Sequence, residues 1–199
     1  MRHPARTFSV RYALVFIIGA VGSASLSGCG KKVESPASTA SDQPAVATLT
    51  TAIGGAPGMT TLASAIKRTG LATVFAGTAP YTVLVPQDDA FGALGEAASR
   101  LTVPENGAAM AAVIKAHVLP GYLTVADIDA ALKAAHGQPV KMTTMAGTAV
   151  SFSRNGEALT VTAADGSSAR VSGNEVTATN GVAIPIDKVL KKIPAGAAR

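Results

Sequence analysis

The sequence predicts an α+β domain, with helices gathered in its first part and short strands in its last. Three observations carry this. Between Thr60 and Ala135 most apolar residues recur every third or fourth position, in segments closed by Gly or Pro. From Pro139 onward the recurrence changes to every second position, and turn dipeptides separate the runs: Ala146-Gly147, Asn155-Gly156, Asp165-Gly166, Gly173-Asn174 and Asn180-Gly181. One strand interrupts the helical part: in YTVLVPQDDAF, from Tyr81 to Phe91, β-branched residues alternate until Pro86 removes a backbone donor and stops the pairing. With 48% hydrophobic but only 4% aromatic residues, the interior is expected to be aliphatic.

The N-terminal part reads as an address. Arg2, Arg6 and Arg11 precede an apolar run, Tyr12 to Ala20, that ends in small residues and is too brief for an ordinary spanning helix, so residues 1–28 are expected to be an export signal. Leu26-Ser27-Gly28-Cys29 resembles the lipobox of bacterial lipoproteins. That resemblance implies cleavage before Cys29, diacylation of its thiol, and the lipid bilayer as a partner; the alternative is a signal cut elsewhere with an incidental cysteine. Cys29 is the only cysteine, which excludes an internal disulfide. Gly30 stands where many inner-membrane lipoproteins carry Asp, so the expected location is the bacterial cell envelope, lipid-anchored, with the outer membrane favoured.

Removing the signal changes the charge. The three arginines leave with it, so 14 basic face 12 acidic side chains in the remainder, and the basic pI is mostly a property of the signal. No cluster of Lys/Arg with stacking aromatics remains to suggest nucleic acid. Residues 29–58 are rich in Ser, Ala, Thr, Pro and Gly, with few bulky apolar side chains, and read as a flexible linker. The folded domain is expected over residues 59–194, followed by a short tail, 195–199.

Within that domain, Thr60 or Thr61 is positioned to cap a helix carrying Leu62 and Ile66, with Gly70 as terminator. After the Tyr81 strand, Asp88 and Asp89 place negative charge at the start of a short helix whose Phe91 and Leu94 need a core. Pro104 and Glu105 suit the first turn of another helix, with Met110, Val113, Ile114 and His117 on one face and Leu119-Pro120-Gly121 at its end. His117 is therefore expected to be buried and hydrogen-bonded; as a metal ligand it would lack a second His or Cys at helical spacing. Thr124 caps a helix with Asp127 in its first turn and Ile128, Ala131, Leu132 and Ala135 on one stripe, closed by His136-Gly137. The following strands, carrying Val140, Met142, Val150, Phe152, Leu159, Val161, Val171, Val176, Val182, Ile184 and Ile186, are expected to pair antiparallel, with Arg154 and Arg170 on the wet side or at strand ends. Pro185, unable to donate, belongs at an edge, a bulge or a non-bonded position.

Three stretches resemble the signatures of the fasciclin-like (FAS1) domain family, in order and across residues 59–194. Val85, Pro86, Asp88, Ala90 and Phe91 match the first, with Gln87 in place of the usual Thr. Ile114 to Gly121, IKAHVLPG, matches the second, with Ala116 replacing the Tyr of the Tyr-His pair associated with integrin binding in animal members, so integrin recognition is not carried over. Asn180, Gly181, Val182, Ile186, Asp187, Val189 and Leu190 match the third. TLASAIKRTG, from Thr61, is similar to the family's opening helix. The resemblance implies a wedge of two β-sheets with several helices on one side, and it marks Pro86, Asp88, Phe91, His117, Pro120, Gly121, Asn180, Gly181 and Asp187 as structural motif positions. Asp88, His117 and Asp187, one from each signature, are expected to approach one another, with His117 bonded to a carboxylate or to main chain and locking helix to sheet.

No catalytic set is legible. The sequence has no H-E-x-x-H, no dithiol, no G-x-S-x-G, no Walker-type loop and no EF-hand loop, and the acid pairs Asp88-Asp89 and Asp127-Asp129 suit helix caps better than acid/base work. No cofactor, metal site or catalytic residue is expected. The chain reads as a non-enzymatic adhesion or interaction module displayed from the envelope, with a protein or polysaccharide surface partner. The alternative is a carrier of an apolar small molecule, with Met110, Met142 and Met145 lining adaptable space. A hydrolase using Asp or His in an unfamiliar layout is the third reading, and no spacing favours it.

Overall fold

The computed structural model describes residues 47–191. The expected signal, the lipidated Cys29, most of the linker and the 195–199 tail lie outside the described residues. The α+β class is the one adopted: two four-stranded sheets, with helices concentrated before the second of them.

The first sheet has the order β2-β1-β8-β7. Its centre is β1 (Tyr81–Pro86), flanked by β2 (Val118–Pro120) antiparallel and by β8 (Gly181–Ile186) parallel. β7 (Val176–Ala178) closes the far edge, antiparallel to β8. The second sheet, β3 (Val140–Thr143), β4 (Ala149–Asn155), β5 (Ala158–Ala163) and β6 (Ser168–Arg170), is an antiparallel meander. The expectation of uniformly antiparallel strands is thus corrected at β8, which pairs with β1 from Tyr81↔Gly181 to Pro86↔Ile186. Strand direction across about a hundred residues of chain is not encoded in local periodicity.

Alternation along β1 and β8 explains the layering. Val83, Val85 and Ala183 pack with Leu49, Ile53, Leu62, Ile66, Val113 and Ile114 in one cluster. Leu84, Val182, Ile184 and Ile186 pack with Val150, Phe152, Leu159 and Val161 of the second sheet and with Ile128 and Leu132 in another. The first sheet is therefore the middle layer, buried on both faces, and every residue of β8 is buried. Helices α1 (Leu49–Gly55), α2 (Thr60–Arg68) and, beyond the short α3 (Ala72–Phe75), α4 (Asp88–Gly92) and α5 (Glu96–Thr102), α6 (Gly107–Ala116) supply the first cluster; α7 (Val125–Ala134) joins the second.

The linker boundary at residue 58 is also corrected. Leu49 and Ile53 of α1 are fully buried, and Leu49 N–H donates to the Asn180 side chain at 2.8 Å. Two apolar residues four apart, in a stretch otherwise small and polar, suffice to dock about two turns of helix on the core. Pro104–Asn106 forms a 3-10 turn rather than the start of the helix, which begins at Gly107. Pro185 lies on an interior strand but beyond the last β7 partner, Ala183. Its carbonyl accepts from Ser172 N–H on that open side, so no ladder bond is lost by its missing hydrogen.

Candidate functional site

The signature residues act as locks between elements. Asp88 was expected to cap its own helix; instead Gln87 is the cap residue of α4, and the Asp88 carboxylate reaches across to the start of α2. It accepts from Thr61 N–H at 2.8 Å, from Thr60 N–H at 3.3 Å and from the Thr60 hydroxyl at 2.8 Å, while Asp88 N–H donates to Gly58 O. Neither Thr60 nor Thr61 therefore caps α2 with its own side chain, the cap residue being Met59. Burial pushes the Asp88 carboxyl up, but the bonds from Thr61 and Thr60 together hold it below the usual carboxylate range. Pro86 ends β1, and Ala90 and Phe91 are buried beneath the corner.

His117 is 1% exposed and sits at the C-terminal cap of α6. Its Nδ1 lies 2.7 Å from Val113 O and its Nε2 2.8 Å from Leu190 N, so the ring donates through Nδ1–H and accepts through Nε2. Only the neutral imidazole makes both bonds. Burial pushes its pKa down to about 4, against smaller opposing effects of the Val113 carbonyl and the Asp165 charge. The histidine thus ties α6 to the segment after β8 through main chain. Of the two partners expected for His117, a carboxylate or main chain, the structure has main chain, while Asp88 and Asp187 are bonded elsewhere.

Asn180 and Gly181 hold the N-terminal helices. Asn180 Nδ2 donates to Phe75 O at 2.7 Å and to Gly77 O at 2.8 Å, while Oδ1 accepts from Leu49 N–H. A Cβ on Gly181 would lie 2.2 Å from Tyr81 O and 2.9 Å from Leu49 Cδ2, so only glycine allows β8 this close to β1. Pro120 closes β2, and Gly121, at φ 107°, turns the chain so that its N–H reaches Pro80 O. The buried Thr82 hydroxyl completes that corner, donating to Gly121 O at 2.9 Å and accepting from Leu123 N–H at 2.8 Å.

Asp187 joins the two sheets. Its Oδ1 accepts from Arg170 N–H at 2.7 Å, and its N–H donates to Arg170 O at 3.0 Å, beside the Val171↔Ile186 bridge. Next to this seam, on the outer face of the second sheet, lies a half-open groove of about 350 Å³. Asn155, Thr160, Ser168, Arg170, Asp187 and Lys188 form its polar lining. Thr160 and Arg170 are direct cross-strand partners. Nothing in the sequence pattern singled this groove out, because its residues come from three strands and the turn after β8.

The acid pair of α7 is engaged. Asp127 forms a capping box with Thr124, whose hydroxyl and N–H hold its carboxyl below the usual range. Asp129 is bonded to Arg154, which lowers the Asp129 carboxyl and raises the guanidinium. Among the described residues no three His, Cys, Asp or Glu side chains are grouped to hold a metal ion. His136, at φ 53°, closes α7 as a main-chain turn, its N–H donating to Lys133 O.

The arrangement has a known counterpart. The family model for the fasciclin domain matches residues 57–192. This chain belongs to the fasciclin domain family. The chain is also similar to a Synechocystis protein, sll1483, at 31% identity over 135 residues. That match covers 65% of each of the two chains. The fold is shared with a FAS1 domain pair from the insect cell adhesion molecule fasciclin I, at a TM-score of 0.64 and 17% identity. The alignment covers 74% of this chain and 52% of that one.

Proposed function

We propose that this fasciclin-domain protein is a non-enzymatic adhesion or interaction module, displayed from the bacterial envelope by an acylated Cys29. The observation that carries the reading is the use of the signature residues: Asp88, His117, Asn180 and Asp187 are all engaged with main-chain or threonine partners, each joining two elements of the fold. A side chain so engaged holds a scaffold rather than a substrate. The insect relative of the same fold is a cell adhesion molecule, which agrees. Lipidation is supported by the order of charge, apolar run and lipobox in residues 1–29.

The chemistry of the outer groove favours a hydrophilic surface partner over the apolar ligand of a carrier. Its wall carries an amide, two hydroxyls, two cations and a carboxylate. Mass spectrometry of the mature protein from its host tests the anchor: a diacylglyceryl group on Cys29 is expected, and an unmodified N-terminus at another residue refutes it. Affinity capture from envelope extracts tests the interaction, with a specific matrix or envelope component expected and an eluate identical to a no-protein control opposing it. Native mass spectrometry of the same sample gives an empty domain; a co-purifying apolar molecule would favour the carrier.

A further inference from the structure

The outer groove holds charge that the fold leaves uncompensated. Of the described arginines, Arg68 donates to Thr102 O, Arg100 pairs with Glu96 and Arg154 with Asp129. Arg170 alone makes no side-chain hydrogen bond or ion pair among the described residues, and Lys188 beside it on the groove wall makes none either. The one carboxylate there, Asp187, already accepts from Arg170 N–H through Oδ1. Two free cations therefore face one partly satisfied anion, a balance that an anionic ligand would complete.

The neutral lining narrows the ligand. The Thr160 and Ser168 hydroxyls and the Asn155 amide both donate and accept, and none is bonded to another side chain or main-chain group of the described protein. Asp187 Oδ2 is a further open acceptor. Arg170 N–H and C=O on the outer edge of β6 are both taken by Asp187, which blocks an added peptide strand at that residue. No aromatic side chain lines the groove to stack a nucleobase. The small side chains of Ala158 and Ala169 leave room between the polar groups, and about 350 Å³ lies at the lower end of small-ligand sites, roughly 300 to 1,000 Å³.

The geometry points to this groove as a binding site for an acidic carbohydrate, a sugar carrying a carboxylate, with the anion on Arg170 and Lys188 and ring hydroxyls on Thr160, Ser168, Asn155 and Asp187. The inference rests on the interaction-module reading and names the chemistry of its partner. Arg170 supplies a planar fork matched to a carboxylate, Lys188 a mobile point charge, and the hydroxyl and amide groups select a ligand with hydroxyls over a bare anion.

The test is a titration of the isotopically labelled full chain with trigalacturonate, maltotriose and glucose 6-phosphate, followed by amide NMR. Trigalacturonate is expected to shift Thr160, Ser168, Arg170 and Lys188, with binding weakened at least tenfold in R170A/K188A and by raising the salt concentration. An unchanged melting temperature in that variant is expected, because both side chains are exposed and make no bond in the fold. R170E/K188E serves as the second variant and is expected to abolish the shifts. Equal shifts with maltotriose, shifts only with glucose 6-phosphate, or shifts located elsewhere overturn the assignment. Envelope capture that survives in R170A/K188A would overturn the groove while leaving the interaction module standing; loss of capture by the wild-type chain would remove the module itself.

Discussion

Acidification probes the His117 lock directly. In the unfolded chain the imidazole titrates near 6.5, and in the fold burial holds it near 4. Between those values the unfolded state binds the proton and the native state does not, so stability falls as pH falls. The contribution is fully present above pH 6.5 and is lost progressively towards pH 4; the difference of about 2.5 pH units corresponds to about 3 kcal/mol. That is a large share of the 5–15 kcal/mol typical of a domain, by order of magnitude. The lowered carboxyls of Asp88, Asp127 and Asp129 act in the same direction but from an unfolded value of 3.8, so mainly below about pH 5. Urea unfolding at half-unit steps from pH 7.5 to 5 therefore isolates the histidine. A decline approaching about 1.4 kcal/mol per pH unit below 6 is expected, and it should vanish in His117→Gln and persist in His136→Gln. A slope unchanged by His117→Gln, or a flat wild-type profile, would refute the neutral-lock argument.

Three further outcomes follow from the geometry. Gly181→Ala forces a Cβ into Tyr81 O and should cost more than about 4 kcal/mol or prevent folding, as read by circular dichroism and melting. Asp88→Ala frees the first N–H groups of α2 and should cost about 1–2 kcal/mol, with faster amide exchange at Thr60 and Thr61; equal exchange in both proteins would oppose the cross-capping role. A chain starting at residue 59 loses the buried Leu49 and Ile53, which predicts a loss of about 3 kcal/mol and a melting temperature lower by roughly 10 °C than one starting at residue 47.

What the sequence made legible is what local patterning controls. The strand at Tyr81, the apolar face of the helix carrying Met110, Val113 and Ile114, the capping box at Thr124 and the meander from Val140 each follow from spacing and turn residues over fewer than about ten positions, whereas Leu119 and Pro120, expected to close that helix, lie in β2 instead. Long-range pairing was not legible. The parallel placement of β8, the Asp88 bond to a helix before it, and the docking of α1 against Asn180 all depend on segments far apart in the chain. Local rules gave Asp88 to the helix it starts, because a carboxylate at a helix start satisfies the same rule whichever helix it serves. The short helices α3 and α5 escaped because four to seven residues hold too few apolar positions to display a period. The groove was hidden for a related reason: Arg170 and Lys188 lie on opposite sides of a turn-rich segment, and only the Asp187 link to β6 places them on one wall.

The central claim, an anchored domain that holds partners and transforms nothing, is tested most directly by surface attachment of a deletion strain. Complementation with the wild-type chain should restore attachment, while Cys29→Ser should leave the folded domain unable to do so. Attachment unaltered by deletion would contradict the account.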